Sequence, residues 1–282
     1  MKIAQPAINR REIRSIHRGH KMYDTLLFTV QNHIARVSIN RPELHNSIVW
    51  DVSREIEKAM QQCSADPEIR AVILTGEGKD FSAGGDVHRF KKLLDEGKGL
   101  PPDGMRLSGA AAYAVRTCDK PVVCRVNGAA AGAGSALAFA SDFRIVTERT
   151  KFVGAFVKMG FCGDTGGFYY LSRLAGTAFA TEFYMLGAPL RGADAFQMGL
   201  ANRLCSDEEL DDVTYELAGR LANSPTQAIT CQKRMMNQMF YADIPVLTEM
   251  ERAGMQHCEV TEDHREAVMA FLEKRKPSFT GR

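Results

Sequence analysis

Three loops of this chain carry residues that could perform chemistry together. Two of them, residues 81–86 and 127–136, consist almost wholly of Gly, Ala and Ser. Loops without large side chains let a ligand approach backbone N–H groups, so two such loops can direct donors at one oxygen and stabilise an oxyanion. The third loop, residues 160–167, contains Asp164. The combination predicts an oxyanion site with one carboxylate as its acid/base.

Each of these motifs also has a simpler structural interpretation. Gly84 and Gly85 could form a tight turn without a ligand, and Asp164 could bond to the backbone of its own turn. Because the three loops occur together, we favour ligand binding for the glycines and catalysis for Asp164. For Asp86 we favour a cap of the following helix over a direct ligand contact.

The apolar pattern predicts an α/β fold in which each of these loops follows a strand. Helical spacing of apolar residues over 48–63, between two β-rich segments, indicates a parallel crossover. Ligands of α/β folds bind where parallel strands end, which is where the loops fall. From about residue 168 onward the chain is predicted to be helical, with breaks near 187–189 and 202–207. The predicted strands are residues 26–30, 35–39, 71–75, 121–126 and 143–146.

Composition restricts the class of protein and of partner. The 282 residues are 45% hydrophobic and 25% charged, which is typical of a soluble globular protein. A formal net charge of +2 gives no general attraction to nucleic acid or to an anionic membrane, so neither is expected as a partner. Seven cysteines without a CxxC pair argue against a disulfide framework or a zinc site, and no metal is expected. The sequence contains no apolar run of about 18 residues, so no transmembrane helix is predicted.

The first 24 residues are predicted to be an extension ahead of the fold. Its first 22 residues carry six Lys or Arg against Glu12 alone, which permits two interpretations. We favour a solvated basic extension and a cytoplasmic protein, because Pro6 and Glu12 interrupt a basic amphipathic helix. The alternative is a mitochondrial presequence.

Several motifs in a fixed order resemble the enoyl-CoA hydratase/isomerase (crotonase) superfamily. The resemblance extends from about residue 26 to the C-terminus. A single Ala-Gly-Gly-Asp would be weak evidence, whereas the ordered set is specific. The motifs are residues 40–42, 81–86, 120–122, 127–134, 140–144, 173–176 and 199–202.

The resemblance implies a ββα spiral core over residues 25–205, which holds an acyl-CoA site, and a helical trimerisation region over 206–282. It implies a homotrimer or a dimer of trimers, and an acyl-CoA thioester substrate with no cofactor beyond the coenzyme A of the substrate. The N–H groups of Gly85 and Ala133 would bind the thioester carbonyl. Further substrate-binding positions implied by the resemblance are Glu43 and Leu44, near the adenine end of coenzyme A, and Ala83, Gly84, Asp86, Gly132 and Phe156.

The chain departs from the hydratase pattern at two positions. The two glutamates that hydratases of this family use correspond here to Ala136 and Phe156, neither of which accepts a proton. Asp164 instead matches an aspartate found in isomerases of the superfamily, with Gly163 in place of their proline. One carboxylate suffices to move a proton between C2 and C4 of a thioester dienolate. The expected function is therefore a Δ3-Δ2 enoyl-CoA isomerase, in which apolar surroundings raise the pKa of Asp164.

Three alternatives stay open at this point. Hydration of an enoyl-CoA could survive on Asp164 alone. Hydrolysis of a 3-hydroxyacyl-CoA thioester is a second alternative, because such relatives also carry an aspartate here, although they pair it with a glutamate near position 156. The third is a non-catalytic homologue that binds coenzyme A or RNA.

Overall fold

The computed structural model describes residues 22–282. Most of the predicted N-terminal extension, with its basic residues, lies outside the described residues. The extension and both interpretations of its charge therefore stay predictions.

A six-stranded, mostly parallel sheet forms the centre of the fold. Its strand order is β1-β2-β3-β4-β6-β9, in which β1 and β2 form an antiparallel hairpin and every other neighbouring pair is parallel. A second sheet of order β5-β7-β8 lies beside the site loops. The strands are β1 (Leu26–Gln31), β2 (Ile34–Ile39), β3 (Ala71–Gly76), β4 (Val122–Val126), β5 (Ala129–Ala131), β6 (Phe143–Thr147), β7 (Lys151–Val153), β8 (Pro189–Arg191) and β9 (Arg203–Cys205).

The helices cover both faces of the large sheet. They are α1 (Trp50–Ala65), α2 (Val87–Asp95), α3 (Pro102–Thr117), α4 (Ala133–Ala140), α5 (Gly167–Ala175), α6 (Thr177–Leu186), α7 (Gly192–Gln197), α8 (Leu210–Ala222), α9 (Thr226–Phe240), α10 (Ile244–Cys258) and α11 (Glu262–Leu272). No helix among residues 22–282 has both the length and the apolar composition that crossing a bilayer requires.

Strand β3 shows why the sheet is covered on both sides. All six of its residues are buried, as in a parallel sheet between two helical layers. Val72 and Leu74 point into the main core, which also contains residues of α1 and α3. Ala71 and Ile73 point to the opposite face and pack with Leu210 and other residues of α8.

The predicted α/β fold and its parallel crossover are confirmed, because β2 and β3 pair in parallel across α1. The helices are interrupted at 187–189 and 202–207 as predicted, but two strands that were not predicted, β8 and β9, begin in these segments. Strands β5 and β7 were also not predicted. Each of these four strands has three residues, too few for an alternating apolar pattern to reveal.

A buried ion cluster attaches α9 to the core. The Asp142 carboxylate pairs with Arg116 of α3 and with Nζ of Lys233 of α9, the latter at 2.6 Å, and it accepts a 2.8 Å hydrogen bond from Val122 N–H. Arg116 and Lys233 are both buried. The structure thus assigns Asp142 a structural role at the start of strands β4 and β6.

Candidate active site

The two small-residue loops lie in direct backbone contact. Ser82 N–H donates to Ala129 O at 3.0 Å and Ala131 N–H donates to Ser82 O at 2.9 Å, which makes an isolated parallel bridge between Ser82 and Ala130. A Cβ atom on Gly84, whose φ is +84°, would lie 2.5 Å from Ala131 O. Glycine is therefore required at this approach, and the bridge fixes the separation of the two loops.

Both predicted oxyanion donors are free to bind a ligand. Within residues 22–282, no hydrogen bond uses the N–H of Gly85 or of Ala133 as its donor. Ala133 is the first residue of α4, where N–H groups have no partner inside the helix and the helix dipole favours negative charge. A developing oxyanion would supply the acceptor that both groups lack.

Two aromatic rings connect these loops to the Asp164 loop. A Cβ atom on Gly85 would lie 2.8 Å from the Phe90 ring, and Phe90 packs edge-on against Phe161 with 5.3 Å between ring centres. The Phe156 ring lies 3.9 Å from a Cβ atom built on Gly132 and 3.4 Å from one built on Gly163. The space between the three loops is thus bordered by apolar side chains.

The Asp164 carboxyl group is half-buried beside this apolar wall. Burial raises its pKa from 3.8 to about 6. A hydrogen bond with the Ser108 hydroxyl and the positive charge of Arg89 act in the opposite direction and keep the pKa from rising further. Asp164 is therefore mostly ionised at neutral pH, while its conjugate acid remains strong enough to return a proton.

A known protein family covers the three loops together with most of the rest of the chain. The family model for enoyl-CoA hydratase/isomerase matches residues 29–282. The chain belongs to the enoyl-CoA hydratase/isomerase family, within the crotonase superfamily.

Named relatives of this enoyl-CoA hydratase/isomerase family member include isomerases and hydratases. It is 34% identical to the 1,2-epoxyphenylacetyl-CoA isomerase of Escherichia coli, with 93% of this chain and 100% of that protein covered. It is 31% identical to the trans-2-decenoyl-[acyl-carrier-protein] isomerase of Streptococcus mutans, with 92% and 99% covered. A crystal structure of an enoyl-CoA hydratase from Mycobacterium avium subsp. paratuberculosis superposes with a TM-score of 0.82 at 26% identity, covering 92% of this chain and 99% of that one. The crotonase fold expected from the sequence is confirmed.

The two positions that correspond to hydratase glutamates both face the Asp164 loop of this family member. Ala136 is fully buried, and its Cβ lies 3.1 Å from a Cβ atom built on Gly167. Phe156 lies between Gly132 and Gly163, as described above. The structure therefore places an apolar side chain against the Asp164 loop at both positions.

The structure adds a carboxyl group that the sequence analysis missed. Both oxygens of Glu251, on α10, accept a hydrogen bond from Gly166 N–H, at 3.1 and 2.8 Å. Burial raises the pKa of Glu251 to about 8, and the charge of Asp164 contributes to the rise. Asp164 is thus not the only carboxyl group near the site, contrary to the expectation from the sequence.

The remaining predicted binding residues lie at the edge of the site. Glu43 and Leu44 are exposed on a 3-10 turn. Ala83 N–H of the first loop donates a 2.9 Å hydrogen bond to His45 O, at the end of this turn. Ala83 is exposed beside them. Asp86 accepts hydrogen bonds from the N–H groups of His88 and Arg89 and so caps α2. The geometry places all four predicted residues around the first loop.

Among residues 22–282 no three His, Cys, Asp or Glu side chains are arranged to hold a metal ion. Cys162, next to the site, is an exposed free cysteine. Partial burial of its thiol, with Cys258 and Glu251 nearby, raises its pKa to about 12. Cys162 is therefore a neutral thiol at physiological pH.

Proposed function

We propose that this protein moves a carbon–carbon double bond within an acyl-CoA thioester, with Asp164 as its acid/base. The observation that carries the proposal is the position of Asp164. Its loop packs through Phe90 and Phe156 against the loops that present the free N–H groups of Gly85 and Ala133. A proton acceptor and an oxyanion site on one apolar surface are what enolate chemistry requires.

The reaction follows from these groups. The thioester carbonyl oxygen accepts hydrogen bonds from Gly85 N–H and Ala133 N–H. Asp164 removes a proton from C2 of a 3-enoyl thioester, and the electron pair of the broken C–H bond delocalises over the dienolate onto the carbonyl oxygen. Asp164 then returns the same proton to C4, which leaves the double bond between C2 and C3. Each fixed donor of such a site contributes roughly 3 kcal/mol to transition-state stabilisation.

Two features support isomerisation over hydration. Ala136 and Phe156 provide no group that could activate or orient water on the side of the second loop. The pKa of Asp164, about 6, also suits a group that both takes and returns a proton near neutral pH. Hydration and thioester hydrolysis both need an activated water, which these apolar side chains do not supply.

Asp164→Asn tests the proposal, with Asp103→Asn, an exposed acid at the start of α3, as a charge-matched control. We expect the wild type and the control to convert 3-enoyl-CoA to 2-enoyl-CoA and to exchange C2 protons in deuterated water. Asp164→Asn should lose both activities by at least 1,000-fold. Parallel assays follow free thiol release and the loss of conjugated absorbance. Full isomerase turnover in Asp164→Asn, or faster thiol release than isomerisation in the wild type, would contradict the proposal.

We also propose that the protein assembles as a homotrimer or a pair of trimers. Large apolar side chains on α9 and α10 are exposed in the single chain, a pattern typical of interaction surfaces. Light scattering of the purified protein tests the assembly, and a monomeric mass at micromolar concentration would contradict it. The exposed residues are Met235, Met236, Met239, Phe240 and Met250.

A further inference from the structure

Glu251 connects α10 to the segment of chain that carries Asp164. Its two carboxyl oxygens accept from Gly166 N–H at 3.1 and 2.8 Å. Gly166 lies two residues after Asp164, has a φ of +71° and precedes the first turn of α5. The hydrogen bond therefore fixes the turn that follows the proposed acid/base.

Further contacts hold the same loop against α10. The Cys162 thiol donates to Glu251 O at 3.8 Å, and a Cβ atom on Gly254 would lie 2.7 Å from the Cys162 sulfur. Thr248 packs against Gly109, and a Cβ atom on Gly109 would lie 3.4 Å from Asp164 O. Three residues of α10 within about two turns, Thr248, Glu251 and Gly254, thus support the loop, and of these Glu251 alone has a titratable side chain.

The charges around Glu251 determine its protonation. Among the ion pairs of residues 22–282 none involves Glu251, so no cation compensates its negative form. The titratable groups that face it are Asp164 and Cys162 from the loop, Tyr170 from α5 and Tyr184 from α6. Burial raises the pKa of Cys162 and of both tyrosines, so these three are neutral at physiological pH. Burial raises the pKa of Glu251 above that of Asp164, so at neutral pH the negative charge lies on Asp164, where Arg89 stabilises it.

We propose that Glu251 is a positioning residue for Asp164: it fixes the loop through Gly166 and holds the proton of the pair, which leaves Asp164 as the ionised base. This inference rests on the proposed function of Asp164. A carboxyl group that stays neutral can hold the Gly166 N–H without adding a second buried charge beside the base. When Glu251 ionises, above a pH of about 8, it adds a second negative charge near Asp164, and activity should fall.

Kinetics of Glu251→Gln and Glu251→Ala test the two parts of the inference. Glutamine keeps an acceptor for Gly166 N–H and stays neutral, so we expect kcat at pH 7 within about three-fold of the wild type. The alkaline decline of kcat near pH 8 should disappear in this variant. Alanine removes the acceptor, and kcat should fall at least ten-fold with KM changed less. Glu249→Gln, an exposed change on the same helix, is the matched control and should change neither. An unchanged alkaline decline in Glu251→Gln would overturn the inference.

Carboxyl-carbon NMR of Asp164 tests the pair without using activity. We expect the wild-type Asp164 signal to titrate in two steps, near pH 6 and pH 8, and in a single step in Glu251→Gln. Two identical steps in both proteins, or one step in both, would overturn the inference even if Asp164→Asn abolishes turnover. Turnover retained in Asp164→Asn would instead remove the proposed function and leave the titration result standing. Because Glu251→Gln preserves the hydrogen bond, the test holds even if Glu251→Ala fails to fold.

Discussion

The guanidinium carbon of Arg89 lies 3.2 Å from the centre of the Trp50 ring. The stacked ring holds the guanidinium of α2 in one place, and its Nε atom is buried without a hydrogen-bond partner. Burial lowers the pKa of Arg89 to about 10, while Asp86 and Asp164 stabilise its charge. Arg89 is thus a fixed cation beside the proposed base, at a position that the sequence analysis did not single out.

Removing this cation should make Asp164 more basic. In Arg89→Met we expect the acid limb of kcat/KM to move to higher pH than in the wild type, where it lies near pH 6. A pKa change of one corresponds to about 1.4 kcal/mol, so activity at pH 5 should fall by about ten-fold. Arg89→Lys keeps the charge and should shift the limb less. An acid limb that does not move in Arg89→Met would show that the Arg89 charge does not act on Asp164.

Asp164 should make the native state less stable at neutral pH. Its folded pKa of about 6 lies above the 3.8 of an unperturbed Asp, so the native state binds the proton more tightly than the unfolded state. Its contribution to stability is then lost as pH rises from about 4 to 6, the reverse of an Asp stabilised by a salt bridge. Asp164→Asn should raise the free energy of unfolding at pH 7 by about 1–2 kcal/mol and change it little at pH 4. Urea unfolding at both pH values measures this, and equal effects at both would contradict it.

Gly84→Ala and Gly97→Ala together distinguish the cost of a steric clash from the cost of a positive φ angle. Both glycines have positive φ, but a Cβ atom on Gly97 meets nothing within 4 Å, whereas one on Gly84 meets Ala131 O. We expect Gly97→Ala to cost about 1 kcal/mol with unchanged kcat. Gly84→Ala should cost at least about 2 kcal/mol and lower kcat, because it separates the two oxyanion loops. Thermal unfolding and steady-state kinetics distinguish the two variants. Equal losses in both would argue that the close approach at Gly84 is unimportant.

Removing a cation from the buried ion cluster should lower stability far more than removing one from an exposed ion pair at the next residue. Lys233→Met leaves Asp142 with Arg116 alone, and breaking a buried pair typically costs about 3–5 kcal/mol. Arg234→Met removes the exposed pair between Arg234 and Asp119, which should cost far less because solvent screens it. Denaturant midpoints compare the two, and similar losses would contradict the structural role of the cluster.

The sequence was most informative for features that depend on residues close together in the chain. A compact apolar run predicted β3 and helical spacing of apolar residues predicted α1, because both signals lie within a few neighbouring residues. The close approach of the two small-residue loops was predictable for a similar reason, since a close backbone approach restricts both loops to small residues. Asp86 could be predicted to cap α2 because its partners lie two and three residues away.

Long-range contacts could not be predicted in the same way. Glu251 accepts a hydrogen bond from Gly166, which lies 85 residues away in the sequence. Within the sequence of α10, nothing distinguishes Glu251 from the other acidic residue of that helix. Arg89 resembles a solvated helix residue until Trp50 and Asp164 are placed beside it. Burial and charge at such positions depend on how separate elements pack, which local spacing does not encode.

Because the bridge between Ser82 and Ala130 holds the two loops together, binding of the carbonyl group and proton transfer involve different parts of the fold in the proposed reaction. In the proposed reaction, only main-chain atoms of the two bridged loops bind the carbonyl oxygen, so no side chain has to be kept for it. In the proposed reaction, Asp164 transfers the proton, and the apolar side chains at positions 136 and 156 leave water without a base. An exchange of residues at those three positions can therefore redirect which proton moves while the carbonyl group stays where it was.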